Sequence, residues 1–151
     1  MRMTYLSILS MLFAGAFAAQ ASAQELKKDY IGPMNDQAST NIVKVKGGTL
    51  VFLAGHTASV ADRNAGLGNF DAQAKNTMDK IKATMEKSGG SLDDIVQMSV
   101  YLQDLRYEPQ FVKYAKTIFK EGSYPAMTFV EVTHLARPES LMEIQPVAVL
   151  K

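Results

Sequence analysis

The chain has 151 residues, 16 basic and 15 acidic, with no cysteine. Without cysteine there are no disulfides, no thiolate catalysis and no cysteine-based zinc or iron–sulfur sites. The even charge, free of any basic run, argues against nucleic acid and anionic membrane surfaces as partners.

Residues 1–23 begin with Arg2, continue through an apolar run from Leu6 to Ala18 and end in Ala21-Ser22-Ala23. This is the layout of a secretory signal peptide, with cleavage expected after Ala23. The run is shorter than the ~20 residues of a membrane span. A membrane-anchored N-terminal helix is the alternative. Export to the periplasm or outside the cell is the reading taken. Cleavage takes 23 of 151 residues and leaves 128, with Arg2 gone and 15 basic against 15 acidic side chains. That length suits one domain with its own core.

Residues 24–40 are expected to be irregular, because Gly32-Pro33 interrupts regular structure. A single domain follows over 41–151. Ile42, Val43 and Val45 precede Gly47-Gly48 and a second apolar run, Leu50 to Ala54. Two glycines between such runs predict a tight hairpin. Gly66 and Gly68 mark the next loop. The spacing predicts a helix over 70–88: Ala74, Met78, Ile81 and Met85 form one stripe, Asn69 or Asp71 caps the start, and Gly89-Gly90 provides the exit.

Residues 95–103 alternate as a strand, and Pro109 opens a second helix whose buried face is Phe111, Ala115, Ile118 and Phe119. Strands over 127–134 and 141–150 follow, expected to be joined as a hairpin around Arg137-Pro138-Glu139. The order β-β-α-β-α-β-β describes one α+β domain of two layers, with a mixed sheet and both helices on one of its faces. The uncovered sheet face, carrying large apolar groups, is expected to be buried against copies of itself in a symmetric oligomer.

Few polar groups could carry chemistry. His56 follows Gly55 at a strand end, where a ligand can approach backbone; His134 lies near the end of another strand. A lone strand histidine is more often structural. Glu143, in Leu141-Met142-Glu143-Ile144, is a carboxylate among apolar neighbours, and desolvation suits such a group to proton transfer near neutrality. Glu131 has the same local look, and either could simply face solvent or a partner. No spacing suggests a metal. The glycine pairs are turns, not a phosphate-binding loop.

Several short motifs, in order, resemble the Rid (YjgF) family: Ile31-Gly32-Pro33; Ala54-Gly55-His56; Leu92-Asp93-Asp94-Ile95-Val96 leading to Val100-Tyr101-Leu102-Gln103-Asp104-Leu105; Tyr124-Pro125-Ala126 with Val130-Glu131-Val132; and Met142-Glu143-Ile144-Gln145-Pro146-Val147-Ala148-Val149. Together they run from about Ile31 to Leu150. The resemblance implies a chorismate-mutase-like fold and a homotrimer whose sheets close a central barrel, with three clefts between subunits. It implies hydrolysis of reactive enamines and imines to 2-keto acids and ammonia, without metal or organic cofactor. In such members an arginine directly after Pro-Ala binds the substrate carboxylate. A last-strand glutamate positions water, and backbone at the strand-two glycine helps hold the ligand.

Gly32, Gly55, Pro125 and Glu143 stand where the family has them. The arginine position holds Met127, the tyrosine after Gly-Pro is Met34, the serine before the strand-two glycine is Ala54, and the helix asparagine is Val112. The segment 34–41 is also longer than in typical members. Losing one member of a buried charge pair costs about 2–5 kcal/mol, and methionine offers no charge and no donor. With Met34, Ala54 and Val112 beside it, the cleft implied is largely apolar and a poor host for a small anionic imine.

Three functions follow. The first is a non-deaminase Rid protein binding a small apolar or uncharged ligand between subunits. The second is an imine hydrolase with Glu143 positioning water and with His56, or a neighbouring chain's Arg137, as the missing cation. The third is a holdase-like interaction protein using exposed methionines.

Overall fold

The computed structural model describes residues 25–58 and 68–151; the expected leader and Gly66 lie outside them. Eight regular elements follow in order: β1 (Lys27–Met34), β2 (Ser39–Lys46), β3 (Thr49–Phe52), α1 (Phe70–Lys87), β4 (Ile95–Leu102), α2 (Glu108–Ile118), β5 (Ala126–Glu131) and β6 (Met142–Leu150). The fold is α+β, with a mixed four-stranded sheet ordered β3-β6-β4-β5 and a two-stranded ribbon, β1-β2. In the sheet β4 and β5 run parallel, and the other neighbours are antiparallel.

Three local expectations are corrected. Residues 24–40 are not irregular: Lys27–Met34 form β1, antiparallel to β2 with Tyr30 opposite Val43 and Ile31 opposite Ile42. Proline is tolerated there because, among the described residues, β1 has one neighbour only and needs no donor on its outer side. Gly32 takes φ +65°, and a Cβ on it would meet Asn41 Nδ2 at 2.8 Å. Gly47-Gly48 does turn the chain, with φ of +77° and +81°. It closes no hairpin, however, since β2 pairs back to β1 and β3 pairs with β6. Likewise β5 and β6 form no hairpin. They flank β4, whose Met98, Val100 and Leu102 are fully buried and which takes a partner on each edge. His134, expected near a strand end, is exposed in the loop after β5.

Helix α1 follows its apolar period: Ala74, Met78, Ile81 and Met85 are all buried against the sheet. The Asn69 side chain accepts from the Ala72 N–H at 3.1 Å. At the other end Gly90 N–H reaches Met85 O at 2.9 Å and Gly89 N–H reaches Glu86 O at 3.1 Å, the paired bonds of a glycine exit. Asn69→Ala is expected to cost about 1 kcal/mol, read as a lower urea midpoint at unchanged slope. Before α2, Asp104 accepts from the Arg106 backbone and side chain. Chiefly through the side-chain bond, its carboxyl is lowered from 3.8 to about 2. The stabilisation this gives is complete above the ordinary carboxylate range and is lost as pH falls towards 2.

Phe111 and Ala115 of α2 join the same core, with Phe111 edge-on to Phe129 of β5. The ribbon is tied on at two places. Lys28 meets Asp94 at 3.4 Å, and Thr40 N–H donates to Pro125 O at 3.3 Å. The ribbon's Tyr30 phenol is raised by burial and then by Asp93 and Asp94.

Strand alternation divides the sheet cleanly. Val51, Met98, Val100, Met127, Phe129, Ile144 and Ala148 face the helices. Leu50, Phe52, Tyr101, Val130, Glu143 and Val147 lie on the open face by the same register. Phe52 is 73% exposed and Leu50 56%.

Candidate functional site

The predicted site residues fall into two groups at opposite edges of the sheet. The first gathers where β5 begins. Tyr124 and Pro125 are buried, which fixes the backbone entering the strand. Met127 N–H donates to Ser39 Oγ at 3.0 Å, and Ser39 pairs across the ribbon with Met34. Met127 itself lies opposite Met98 on the helix side and packs against the core. Val112 packs against that core from α2 and, with Asp36, Gln37 and Pro109, lines a groove of about 380 Å3. No cation or donor side chain stands at position 127. Glu108, Lys113 and Lys116 also line the groove, so its walls are largely charged rather than apolar.

The second group surrounds the end of β3. Ala54 and Gly55 are exposed there. The Glu143 carboxylate lies directly against Gly55: a Cβ at that position would sit 1.9 Å from Glu143 Oε1 and 2.9 Å from Cδ. A side chain at 55 would have to push the Glu143 carboxylate aside, and no positive φ is involved. His56 and Ile144 exchange both backbone hydrogen bonds, at 2.8 and 2.9 Å, which locks the strand end one residue from Glu143. The His56 ring turns to the helix side. Its Nδ1 is 2.7 Å from Ala54 O and its Nε2 3.0 Å from Thr84 Oγ1. A carbonyl only accepts, so Nδ1 carries a proton.

Gly55→Ala is expected to displace the Glu143 carboxylate by more than 1 Å while leaving the fold intact. A crystal structure of the variant checks this, and an unmoved carboxylate would sink the contact.

Within one chain the two groups do not meet. Strand order places β3 and β5 at opposite edges, three inter-strand steps or about 14 Å apart. Met127 and Glu143 also lie on opposite faces. His56 and Arg137 share a groove on the Gly55 side, so neither stands beside Met127 of the same chain. Glu131 is occupied elsewhere, accepting from Leu105 N–H at 2.9 Å.

Two residues escaped the sequence reading. Ser39 anchors the backbone of residue 127 from a segment whose glycine and proline hid a strand. Tyr101 lies directly opposite Glu143 on the open face; its outward parity was visible, its cross-strand partner was not. Among the described residues no group of three or more histidine or acidic side chains could hold a metal.

Comparison with known proteins agrees with this architecture. Residues 38–150 match the family model described as endoribonuclease L-PSP. A RutC family protein of Pyrococcus abyssi is 34% identical over 107 residues, covering 69% of this chain and 81% of its own. An Escherichia coli protein named as a reactive intermediate deaminase, TdcF, is 28% identical over 104 residues, 68% of this chain and 80% of that one. Among solved structures, YyfB of the Rid family from Yersinia pestis superposes with a TM-score of 0.71 at 19% identity, over 85% of this chain and 99% of the other. NMB1025, a YjgF family protein of Neisseria meningitidis, gives 0.57 at 25% identity, over 83% and 96%. With the ordered motifs, the mixed sheet and the matched family model all in agreement, the chain belongs to the Rid/YjgF family.

Proposed function

We propose that this is an exported Rid-family protein that binds a small, largely apolar or uncharged ligand in clefts between associated subunits, without deaminase activity on small anionic imines. The observation that carries the reading is Met127. It is the second residue of β5, where the family has its carboxylate-binding arginine, with its backbone held by Ser39 and its side chain packed on the core. A cleft requires two copies, because one chain offers the Met127 corner and the Glu143–Gly55 edge on opposite faces. The basic, apolar and A-x-A sequence of residues 1–23 supports export.

The test is direct. Protein lacking residues 1–23 is incubated with freshly generated 2-iminopropanoate, and pyruvate and ammonia are followed against buffer. The expected result is no excess rate; a catalytic excess overturns the proposal. It would favour the second reading, imine hydrolysis with Glu143 positioning water, for which the retained Gly55–Glu143 contact speaks.

A further inference from the structure

The exposed charges of α1 mostly neutralise one another. Lys75 pairs with Asp79 and Lys82 with Glu86 one turn apart. On the flank that faces the end of β3, Lys87 has no ion-pair partner among the described residues. Lys80, Thr84 and Lys87 form one stripe by helical spacing. They look across a groove of about 370 Å3 at His56, Thr57 and Arg137. Among the described residues, four basic side chains line this groove and no carboxylate does. For a chain with 16 basic and 15 acidic residues, that is a local segregation of charge.

The four groups are not equivalent. Lys80 Nζ donates to Thr57 O at 2.7 Å, and the His56 ring is held at both nitrogens, by Ala54 O and Thr84 Oγ1. These two are fixed in place by the strand end. Lys87 and Arg137 make no ion pair among the described residues. A fixed floor with two uncommitted cations above it is the arrangement an oxyanion needs, and the arginine can engage it through two parallel hydrogen bonds.

We propose that this groove binds a small multivalent oxyanion, a phosphate group or a short polycarboxylate, with Lys87 and Arg137 as direct ligands over the His56–Thr84 pair. Lys80 and Lys87 are seven residues apart, about 10 Å along the helix. This length fits one or two phosphate groups, not a nucleic-acid strand. The groove is on the helix side of the β3 end, whereas Glu143 and the apolar Leu50 and Phe52 are on the open face. Gly55 belongs to both the groove and the edge that carries Glu143, so the groove adjoins the cleft proposed above.

The chain has only two histidines, so their imidazole C–H resonances report the groove directly. Inorganic pyrophosphate and citrate are titrated separately into the protein at constant ionic strength. The expected result is a saturable shift of the His56 signals with His134, outside the lining, nearly unmoved. A response to pyrophosphate alone assigns phosphate chemistry, to citrate alone polycarboxylate chemistry, and to both recognition by charge; each supports the groove. Lys87→Gln and Arg137→Gln, singly and together, should weaken the apparent affinity, at least tenfold in the double variant, while the anion-free spectrum stays that of a folded protein. The proposal is overturned if both histidines drift together without saturation, or if the double variant titrates like the unaltered protein.

Discussion

Met127→Arg is expected to raise the rate of 2-iminopropanoate hydrolysis by about 10- to 100-fold over that of the parent protein. The size follows from the charge-assisted hydrogen bonds an arginine makes to a carboxylate, about 1.5–3 kcal/mol net. The backbone at 127 is already held, by Ser39 Oγ on its N–H and by the buried Pro125 before it. The substitution therefore changes the side chain without having to reshape the strand. Arginine is long enough to leave its methylene stem on the core where Met127 now packs and to carry its guanidinium outward. The assay is pyruvate release, paired with the double variant Met127→Arg, Glu143→Gln. Activity gained in the first and lost in the second would place both residues in one reaction. Equal activity in the two would show that the gain does not pass through Glu143.

Phe52→Asp is expected to leave a monomer where the unaltered protein associates, as proposed, through its open sheet face. Phe52 is 73% exposed on the open sheet face and Leu50 56%, an arrangement a lone soluble domain seldom keeps uncovered. A full phenyl ring contributes about 1.5–3 kcal/mol when buried, and a closed trimer repeats that loss at every interface. The aspartate adds the cost of desolvating a charge. Sedimentation equilibrium checks it, with circular dichroism confirming that the monomer stays folded. A parent protein that already sediments as a monomer would remove the basis for clefts between subunits.

The helices and the central strand were legible in the sequence because each obeys a single period. Met78, Ile81 and Met85 sit one face apart, and Met98, Val100 and Leu102 alternate without interruption. β1 was not legible, since Gly32 and Pro33 are residues that usually end a strand. Here the first occupies a positive φ and the second needs no donor on an edge. The neighbours of β5 and β6 were also hidden. A short connection suggests a hairpin, but β4 is apolar enough to be covered on both edges, and only tertiary packing reveals that. The same gap limited the site. Motifs placed Met127, Gly55 and Glu143 individually, yet whether two strand residues share a face depends on strand order and register. So the residues were readable and their separation was not.

That separation has a thermodynamic consequence. A pocket with one wall from each of two chains exists only while the chains are associated, so filling it and assembling are the same equilibrium seen from two sides. Its ligand should hold the subunits together on dilution, and dilution should empty the pocket. Two variants, each defective at a different wall, should together rebuild intact pockets in mixed assemblies. If the cleft forms as proposed, the chain carries its two walls on different faces, and protein concentration becomes a control on whatever that cleft binds.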